Sequence, residues 1–449
     1  MKNCKAKAKT ACYVGKENAD GVIAFLGIPY CKAPRRWEPA EALEPSDAVF
    51  EAFEFGPMCC QPPRDEEFTP GTPMSEDCLT LNIWTDDLDK KGKPVMFWIH
   101  GGCYVSGSNR TAFMLGDKLV ADCPDIVYVN INYRLGAFGA MDLSAVDNSG
   151  KYKYSNNLNL LDQATALKWV YENIEAFGGD PNNITVYGQS AGSFSTASLM
   201  LYKEANKYMK NAILESSCVD MNQKDLPTAA AVAELFRELT GANTLEELLA
   251  LDPEKILEAQ GKIMMDPRFP KAFESTGDGD ILPADPYAAL RDGIAKHINV
   301  MAGTVAGEYD TGFAPAPAEA VVGACRGMFA GHLTEEMITA YENNYPERDK
   351  KTAYMDLMND ITIRSAIKNV LTLQAEAGAN TYMYYIDATP KGSNIRSQQY
   401  HRPGCVESRP GGVPAHSRRY FGHSLRRLYI YGLSGAARDP HQPARTGYG

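Results

Sequence analysis

A chain that passes from strand to helix through Gly188-Gln189-Ser190-Ala191-Gly192 has little freedom in what it builds. The pentapeptide lies between a β-branched run, Ile184-Thr185-Val186-Tyr187, and an apolar stretch, Ala191 to Leu201, that reads as a helix. Turning from one to the other in so few residues needs small neighbours, and the flanking glycines supply them. The Ser190 hydroxyl then stands above the end of its strand, at a helix N-terminus. The N–H of Ala191 faces any negative charge that develops beside it. A bare G-x-S-x-G is weak evidence; the strand before it and the helix after it make Ser190 a nucleophile candidate. The bland alternative is a glycine-rich structural turn.

The same alternation recurs along the chain. Val95 to Ile99 and Ile126 to Ile131 read as strands, and Leu158 to Phe177 as an amphipathic helix whose apolar members are Leu161, Ala164, Leu167, Trp169, Val170 and Ile174. Gly178-Gly179 stops that helix and Asp180-Pro181 makes the turn. Asn211 to Leu214, Ile298 to Ala302 and Tyr382 to Ile386 are further strand candidates. Strand–helix–strand order implies an α/β class, a mostly parallel sheet with helices on both faces. Residues 222–295 change character, with helical stretches at Thr228 to Leu239 and Leu245 to Gln260; they read as a helical cap inserted on the sheet of a 1–395 domain.

A second loop leaves a strand at His100-Gly101-Gly102-Cys103. Holding an oxyanion takes backbone N–H groups that nothing else occupies, and glycines let the chain come close. Gly102 and Cys103 are the candidate donors, joined by Ala191 of the elbow. His100 reads as a structural histidine packing that loop.

Composition removes several functions. A net charge of −11 argues against nucleic acid, and no run of 18 apolar residues exists to span a membrane. Met1 to Thr10 is lysine-rich with no apolar segment behind it, so no signal peptide is visible and a cytoplasmic location is expected. The 11 cysteines have no C-x-x-C spacing, which disfavours a zinc site; Cys59, Cys60 and Cys78 read as free thiols, or as a source of one bridge in an exported protein. No G-x-G-x-x-G follows a strand, which removes a dinucleotide-binding enzyme.

Taken in order, these motifs resemble the type-B carboxylesterase family of α/β-hydrolases, which includes the cholinesterases. Phe25 to Tyr30, Ser75-Glu76-Asp77-Cys78-Leu79 with Leu81-Asn82-Ile83, Asn132 to Gly136, Leu161-Asp162-Gln163, Ala166 to Val170 and Phe177 to Pro181 all match, over about residues 20–387. The resemblance implies a serine ester hydrolase with a Ser–Glu–His triad, no cofactor, and a small-molecule ester as substrate. It places the acid at Glu308, with Asp310 the local competitor, and a supporting serine at Ser216. It pairs Glu76 with Arg134 as a structural ion pair near the site. Where Cys103 stands the family has a small residue, often Gly; a backbone donor tolerates Cys provided its φ is negative. Oligomeric state is not legible.

The histidine is the weak point. A serine hydroxyl needs a base, and the resemblance places one in a histidine–glutamate motif 90 to 110 residues after the acid. His401 and His416 fall in that window, 93 and 108 residues beyond Glu308, and neither has a Glu three residues later. His423 and His441 fit worse. The segment holding them, 396–449, has nine Arg, no Lys and two acids, is dense in Pro and Gly, and lacks apolar periodicity. It reads as an atypical, incomplete or aberrant C-terminal part, of the kind a shifted reading frame in a GC-rich gene produces. The alternatives are a divergent tail in which His401 is the base, and a non-catalytic member of the family.

Overall fold

Apolar runs far apart in the chain become neighbours in one sheet. The computed structural model describes residues 2–62, 72–216, 223–308, 316–328, 335–344, 346–347, 349–387 and 431–432. Its main sheet follows ten strands: β1 (Lys2–Lys7), β2 (Cys12–Glu17), β3 (Ile23–Pro29), β4 (Thr80–Thr85), β5 (Lys93–Ile99), β6 (Val127–Ile131), β7 (Gly179–Gln189), β8 (Asn211–Glu215), β9 (Asn299–Val305) and β10 (Thr381–Ile386). They lie in the order β1-β2-β3-β4-β6-β5-β7-β8-β9-β10, with Val49–Glu51 added beside β2 and Tyr431–Gly432 beside β10. From β6 to β10 every pairing is parallel. Strands β1 to β4 join one another and β6 antiparallel.

The antiparallel margin is an addition to the sequence reading. β1 buries only Cys4 and Ala6 and keeps its lysines in water. The lysine-rich start of the chain is thus the charged edge strand that protects a sheet from pairing with another chain.

Two helical layers cover the sheet, and strand alternation assigns side chains to them. Leu81, Ile83, Val95, Phe97, Ile99, Val127, Val129, Ile131, Ile184 and Val186 face one core. The residues between them, Trp84, Trp98 and Tyr128, face the other, under α1 (Gly116–Asp122) through Leu119 and Val120. Each fully buried Val, Leu, Ile or Phe contributes about 1.5–3 kcal/mol, so this two-sided burial is the main stabilising term. On the first face lie α2 (Leu158–Asn173) and α3 (Ala191–Leu201).

Helix α2 differs from its sequence reading. Its buried residues include Asp162, Gln163 and Asn173, while Leu161 and Ala164 are only half-buried. The helix is enclosed on more than one side, because Trp169 donates to Thr10 Oγ1 (3.2 Å) and Asn173 accepts from the Lys9 amide (3.0 Å) beside the N-terminal strands. Its polar residues go inside because partners await them there. The helix ends at Asn173, and after a 3-10 turn Gly178 (φ 90°) caps the segment.

Between β8 and β9 the chain forms α4 (Leu226–Thr240), Leu245–Leu249 and α5 (Pro253–Met264). The helix expected from Leu245 to Gln260 is therefore two. Pro253 has no N–H to continue a helix and sits instead at the first turn of α5. Lys224, fully buried, donates to the carbonyls of Ala272 (2.9 Å), Glu274 (2.7 Å) and Ala140 (3.3 Å) and ties this region to the body. Burial pushes its ammonium down to about 7 and the Glu274 carboxyl up to about 7. Helix α6 (Ser365–Glu376) leads into β10. Apart from residues 431–432, the atypical segment 396–449 lies outside the described residues. No described helix is long and apolar enough to cross a membrane.

Candidate active site

Strands β5, β7, β8 and β9 are parallel neighbours, so the segments leaving their carboxyl ends are brought together at one edge of the sheet, where α/β folds gather functional groups. Gly188 is in register with Ile99 and Gln189 with Glu215. The elbow is extremely close to β5: a Cβ on Gly192 would lie 2.0 Å from the Ile99 carbonyl oxygen, and one on Gly188 2.5 Å from it. Only glycine fits at either position. Ser190 itself takes φ 56°, ψ −124°, a conformation that costs a residue with a side chain about 1–3 kcal/mol. Two bonds hold it there, from its own amide to Glu215 O (3.1 Å) and from the Phe194 amide to its carbonyl (3.0 Å).

The loop after β5 is also strained. Gly102 (φ 115°), Cys103 (φ 55°) and Tyr104 (φ 59°) follow one another in the left-handed region. A side chain on Gly102 is excluded, since its Cβ would fall 1.9 Å from Ser106 O. The Gly102 carbonyl accepts from the Val105 amide, the Ser106 amide and Ser106 Oγ, which turns the loop back on itself. The condition attached to Cys103 fails: its φ is positive, because the tight turn at Gly102 forces the next two peptides round. The strain is about 1–2 kcal/mol for each non-glycine residue so placed. His100 stacks on Tyr133 (centroids 4.5 Å apart), its Nδ1 lies 2.8 Å from Gly101 O, and Tyr133 donates to its carbonyl (2.8 Å). Its ring thus packs the loop, as the sequence suggests.

On the other side of the serine, Glu308 is buried after β9. Its Oε1 accepts from Ser216 Oγ (2.9 Å) and from the Val305 amide (2.9 Å). Ser216, at φ 57°, is itself fixed by its amide donating to Gly303 O (2.9 Å). Ser216, the serine to which the resemblance gives a supporting role, thus hydrogen-bonds to Glu308. Two supports are invisible in the sequence. One is the Val305 amide. The other is Asn359, wholly buried, whose Nδ2 donates to Ala306 O (3.2 Å) from a helix 53 residues on. A buried Asn next to a π-turn at Asp360–Arg364 carries no local signature. The neighbouring Glu215 carboxyl is pushed up to about 7 by burial, and the Tyr384 phenol is raised by burial and by the nearby Glu215 and Glu308. Asp310 lies outside the described residues.

The expected Glu76–Arg134 ion pair is not formed. Arg134 makes a bidentate pair with Asp162 of α2 (Nε–Oδ2 2.7 Å, Nη2–Oδ1 2.6 Å), both buried, and Asp162 also accepts the Arg134 amide (3.1 Å). Glu76 pairs with Arg36 instead (Nε–Oε2 2.9 Å). The Arg36 fork also caps the carbonyls of Leu248 (3.4 Å), Leu249 (3.1 Å) and Leu251 (2.5 Å). The exchange follows from geometry: Asp162 points inward from α2 at the start of the Arg134 loop, and a buried guanidinium takes the fully enclosed carboxylate.

His401 and His416 fall outside the described residues. The chain reaches them from β10, whose last residue, Ile386, accepts from the Ala306 amide (2.9 Å) beside the Glu308 turn. Cys59, Cys60 and Cys78 are free thiols, with Cys59 Sγ accepting from the Leu135 amide (3.3 Å). Among the described residues no group of His, Cys, Asp or Glu is arranged to hold a metal ion.

Comparison with known proteins bears on family and fold. A family model described as the carboxylesterase family matches residues 12–413. Para-nitrobenzyl esterase of Bacillus subtilis is 37% identical over 306 residues, 66% of this chain and 61% of that protein. Liver carboxylesterase of Sus scrofa is 32% identical over 429 residues, covering 85% of this chain and 74% of that one. The crystal structure of a Geobacillus stearothermophilus carboxylesterase superposes with a TM-score of 0.77 at 32% identity, over 86% of this chain and 80% of that one. The chain spans about three fifths of the length of the Bacillus relative.

Proposed function

Because the chain belongs to the carboxylesterase family and has its α/β-hydrolase fold, we propose that it is a serine carboxylic-ester hydrolase acting through an acyl-enzyme on Ser190. The observation that carries this reading is Ser190 itself, held at φ 56° on an elbow that only glycines can flank, two strands across the sheet from a buried Glu308 that Ser216 and the Val305 amide hydrogen-bond. Ser190 Oγ attacks the acyl carbon of a small-molecule ester while a histidine removes its proton. The same imidazolium gives that proton to the departing alkoxide. Water, deprotonated by the histidine, then attacks the acyl carbon; the acid leaves and the proton returns to Ser190. Glu308 orients the ring and stabilises its charged form. The amides of Gly102, Cys103 and Ala191 receive the oxyanion, a contribution of about 3–4 kcal/mol per donor. Protein groups and water suffice.

His401 is the proposed base. The family match runs to residue 413 and so includes His401, whereas His416 lies beyond it. The experiment is hydrolysis of p-nitrophenyl acetate and butyrate by wild type, Ser190→Ala and His401→Gln. A fall of three or more decades in both variants is expected, and equal rates for wild type and Ser190→Ala would end the esterase reading. A second reading, an impaired family member, is favoured by one feature: none of the tail histidines is followed three residues later by Glu. A wild type no faster than Ser190→Ala, together with a histidine–glutamate motif in another frame of the source DNA, is its signature. The reading includes a cytoplasmic site of action on a small-molecule ester.

A further inference from the structure

Tyr104 follows directly on the two proposed oxyanion donors, Gly102 and Cys103, and is itself buried. Cys103 and Tyr104 both hold positive φ, at 55° and 59°. Side chains disfavour that region, so a loop left to itself would relax towards negative φ and rotate the Cys103 N–H away from the serine. The Gly102 turn supplies part of the hold, and contacts from outside the loop add to it. At its two ends the loop backbone is held by the Tyr133 hydroxyl on His100 O (2.8 Å) and by the Gln61 side-chain amide on Gly107 (2.8 and 2.9 Å), and at Tyr104 itself the Gly136 amide donates to the carbonyl (2.7 Å). The Tyr104 side chain is held as well. The Tyr104 hydroxyl accepts from Ser195 Oγ (3.1 Å), and Ser195 Oγ accepts from Gln163 Nε2 (2.9 Å). Gln163 and Ser195 are as buried as Tyr104. The ring is steadied edge-on by Tyr133 (centroids 6.4 Å apart, 70°), the residue on which His100 stacks.

The placement of Ser195 gives this chain of bonds its meaning. It lies on α3, five residues after Ser190, one and a half turns along the helix that the nucleophile opens. We infer that the Tyr104 hydroxyl is a latch that fixes the loop carrying the oxyanion amides to the nucleophile's own helix, so that donors and serine keep one geometry. Tyr104 is a positioning residue: it acts through the Gly102–Cys103 peptide. The inference rests on the reading of Gly102 and Cys103 as oxyanion donors and adds to it what keeps a strained loop in its working conformation. Burial of all three side chains makes the link dry, which strengthens each hydrogen bond and makes its loss felt.

The test is a cycle of Tyr104→Phe, Ser195→Ala and the double variant in the full-length protein, with p-nitrophenyl butyrate as probe and Ser190→Ala as the background rate. Tyr104→Phe keeps the ring and removes only the hydroxyl. Its kcat is expected to fall about fivefold, the fold-change equivalent to one ordinary hydrogen bond, with KM within twofold. The double variant is expected to be no slower than the slower single one, because both changes cut one link. Amide hydrogen exchange across residues 100–107 is expected to quicken about fivefold in all three. Multiplying losses in the double variant, or unchanged kcat and exchange in Tyr104→Phe, would overturn the latch. If wild type is no faster than Ser190→Ala, the ester reading fails on that result alone, and exchange then decides the latch: unchanged protection rejects it, and equal loosening in the three variants sustains it.

Discussion

Gly192→Ala sets a single methyl group against the centre of the sheet. The new Cβ would lie 2.0 Å from the Ile99 carbonyl oxygen, 2.8 Å from its carbon and 3.0 Å from the His100 carbonyl carbon. Ordinary contact starts near 3.4 Å, so about 1.4 Å must be found, from 3.4 minus 2.0. Ile99 ends β5, which is paired on one side with β6 and on the other with β7, so its carbonyl has no free direction. The elbow must lift instead, stretching the Ser190 amide bond to Glu215 O. Overpacking of this kind costs about 1–3 kcal/mol, and the strained ladder bond adds about 1 kcal/mol. A total near 3 kcal/mol corresponds to a fall in Tm of about 3 °C for a chain of 449 residues. Turnover should fall further than stability, by about 100-fold, since a displacement near 1 Å at the reacting atom has that effect. The same substitution at Gly261, inside α5 with nothing within 4 Å of its Cβ, should do the reverse and stabilise by about 0.5–1 kcal/mol. Thermal unfolding followed by circular dichroism, with p-nitrophenyl butyrate turnover, reads both. A Gly192→Ala protein melting within 1 °C of wild type and retaining a third of its turnover would refute the steric reasoning.

Asp162→Ala leaves the Arg134 guanidinium buried without its carboxylate and should cost about 3–5 kcal/mol, whereas Asp162→Leu with Arg134→Met should cost clearly less; equal losses in urea unfolding would contradict the pairing. Ser216→Ala removes a donor to a buried carboxylate, so kcat should drop roughly 10- to 100-fold with little change in KM, and an unchanged kcat would deny Glu308 its proposed role. Lys224 has a folded pKa of about 7, below its unfolded value near 10.5, so between those two the unfolded chain holds more protons and the native state gains stability as pH rises. Glu274 is raised to about 7 from about 4.5, so its contribution falls as pH rises through that window. Unfolding free energies measured from pH 5 to 10 should therefore lose their upper rise in Lys224→Met and their lower fall in Glu274→Gln; parallel curves for wild type and variants would count against both.

Most of what makes the elbow was legible in the chain. Ile184 to Gln189, Ala191 to Leu201 and the two glycines are local signals: a β-branched run, an apolar helix and a turn too tight for a side chain. The helix bounds Ala191–Leu201 and most of the parallel strands are as expected. Period and glycine spacing are written into neighbouring residues, so they survive whatever the rest of the fold does. Glu308 and Ser216 came through resemblance alone, and their hydrogen bond joins residues 92 apart.

Only the folded chain decided who pairs with whom. Arg134 took Asp162 and Glu76 took Arg36, because burial, not motif order, sets which carboxylate a buried guanidinium can least do without. The inward polar face of α2 appeared because Lys9 and Thr10 beside the N-terminal strands, Arg134, and Ser195 of α3 meet it from different sides, and periodicity cannot tell a helix with one dry side from a helix with several. The positive φ of Cys103 and Tyr104 also belongs to the tertiary structure: neither residue prefers it, and the Gly102 turn, the Gly136 amide and the Ser195 hydroxyl together impose it. Sequence determined where a serine elbow could form; packing of distant residues determined the geometry in which its loop, acid and helix meet.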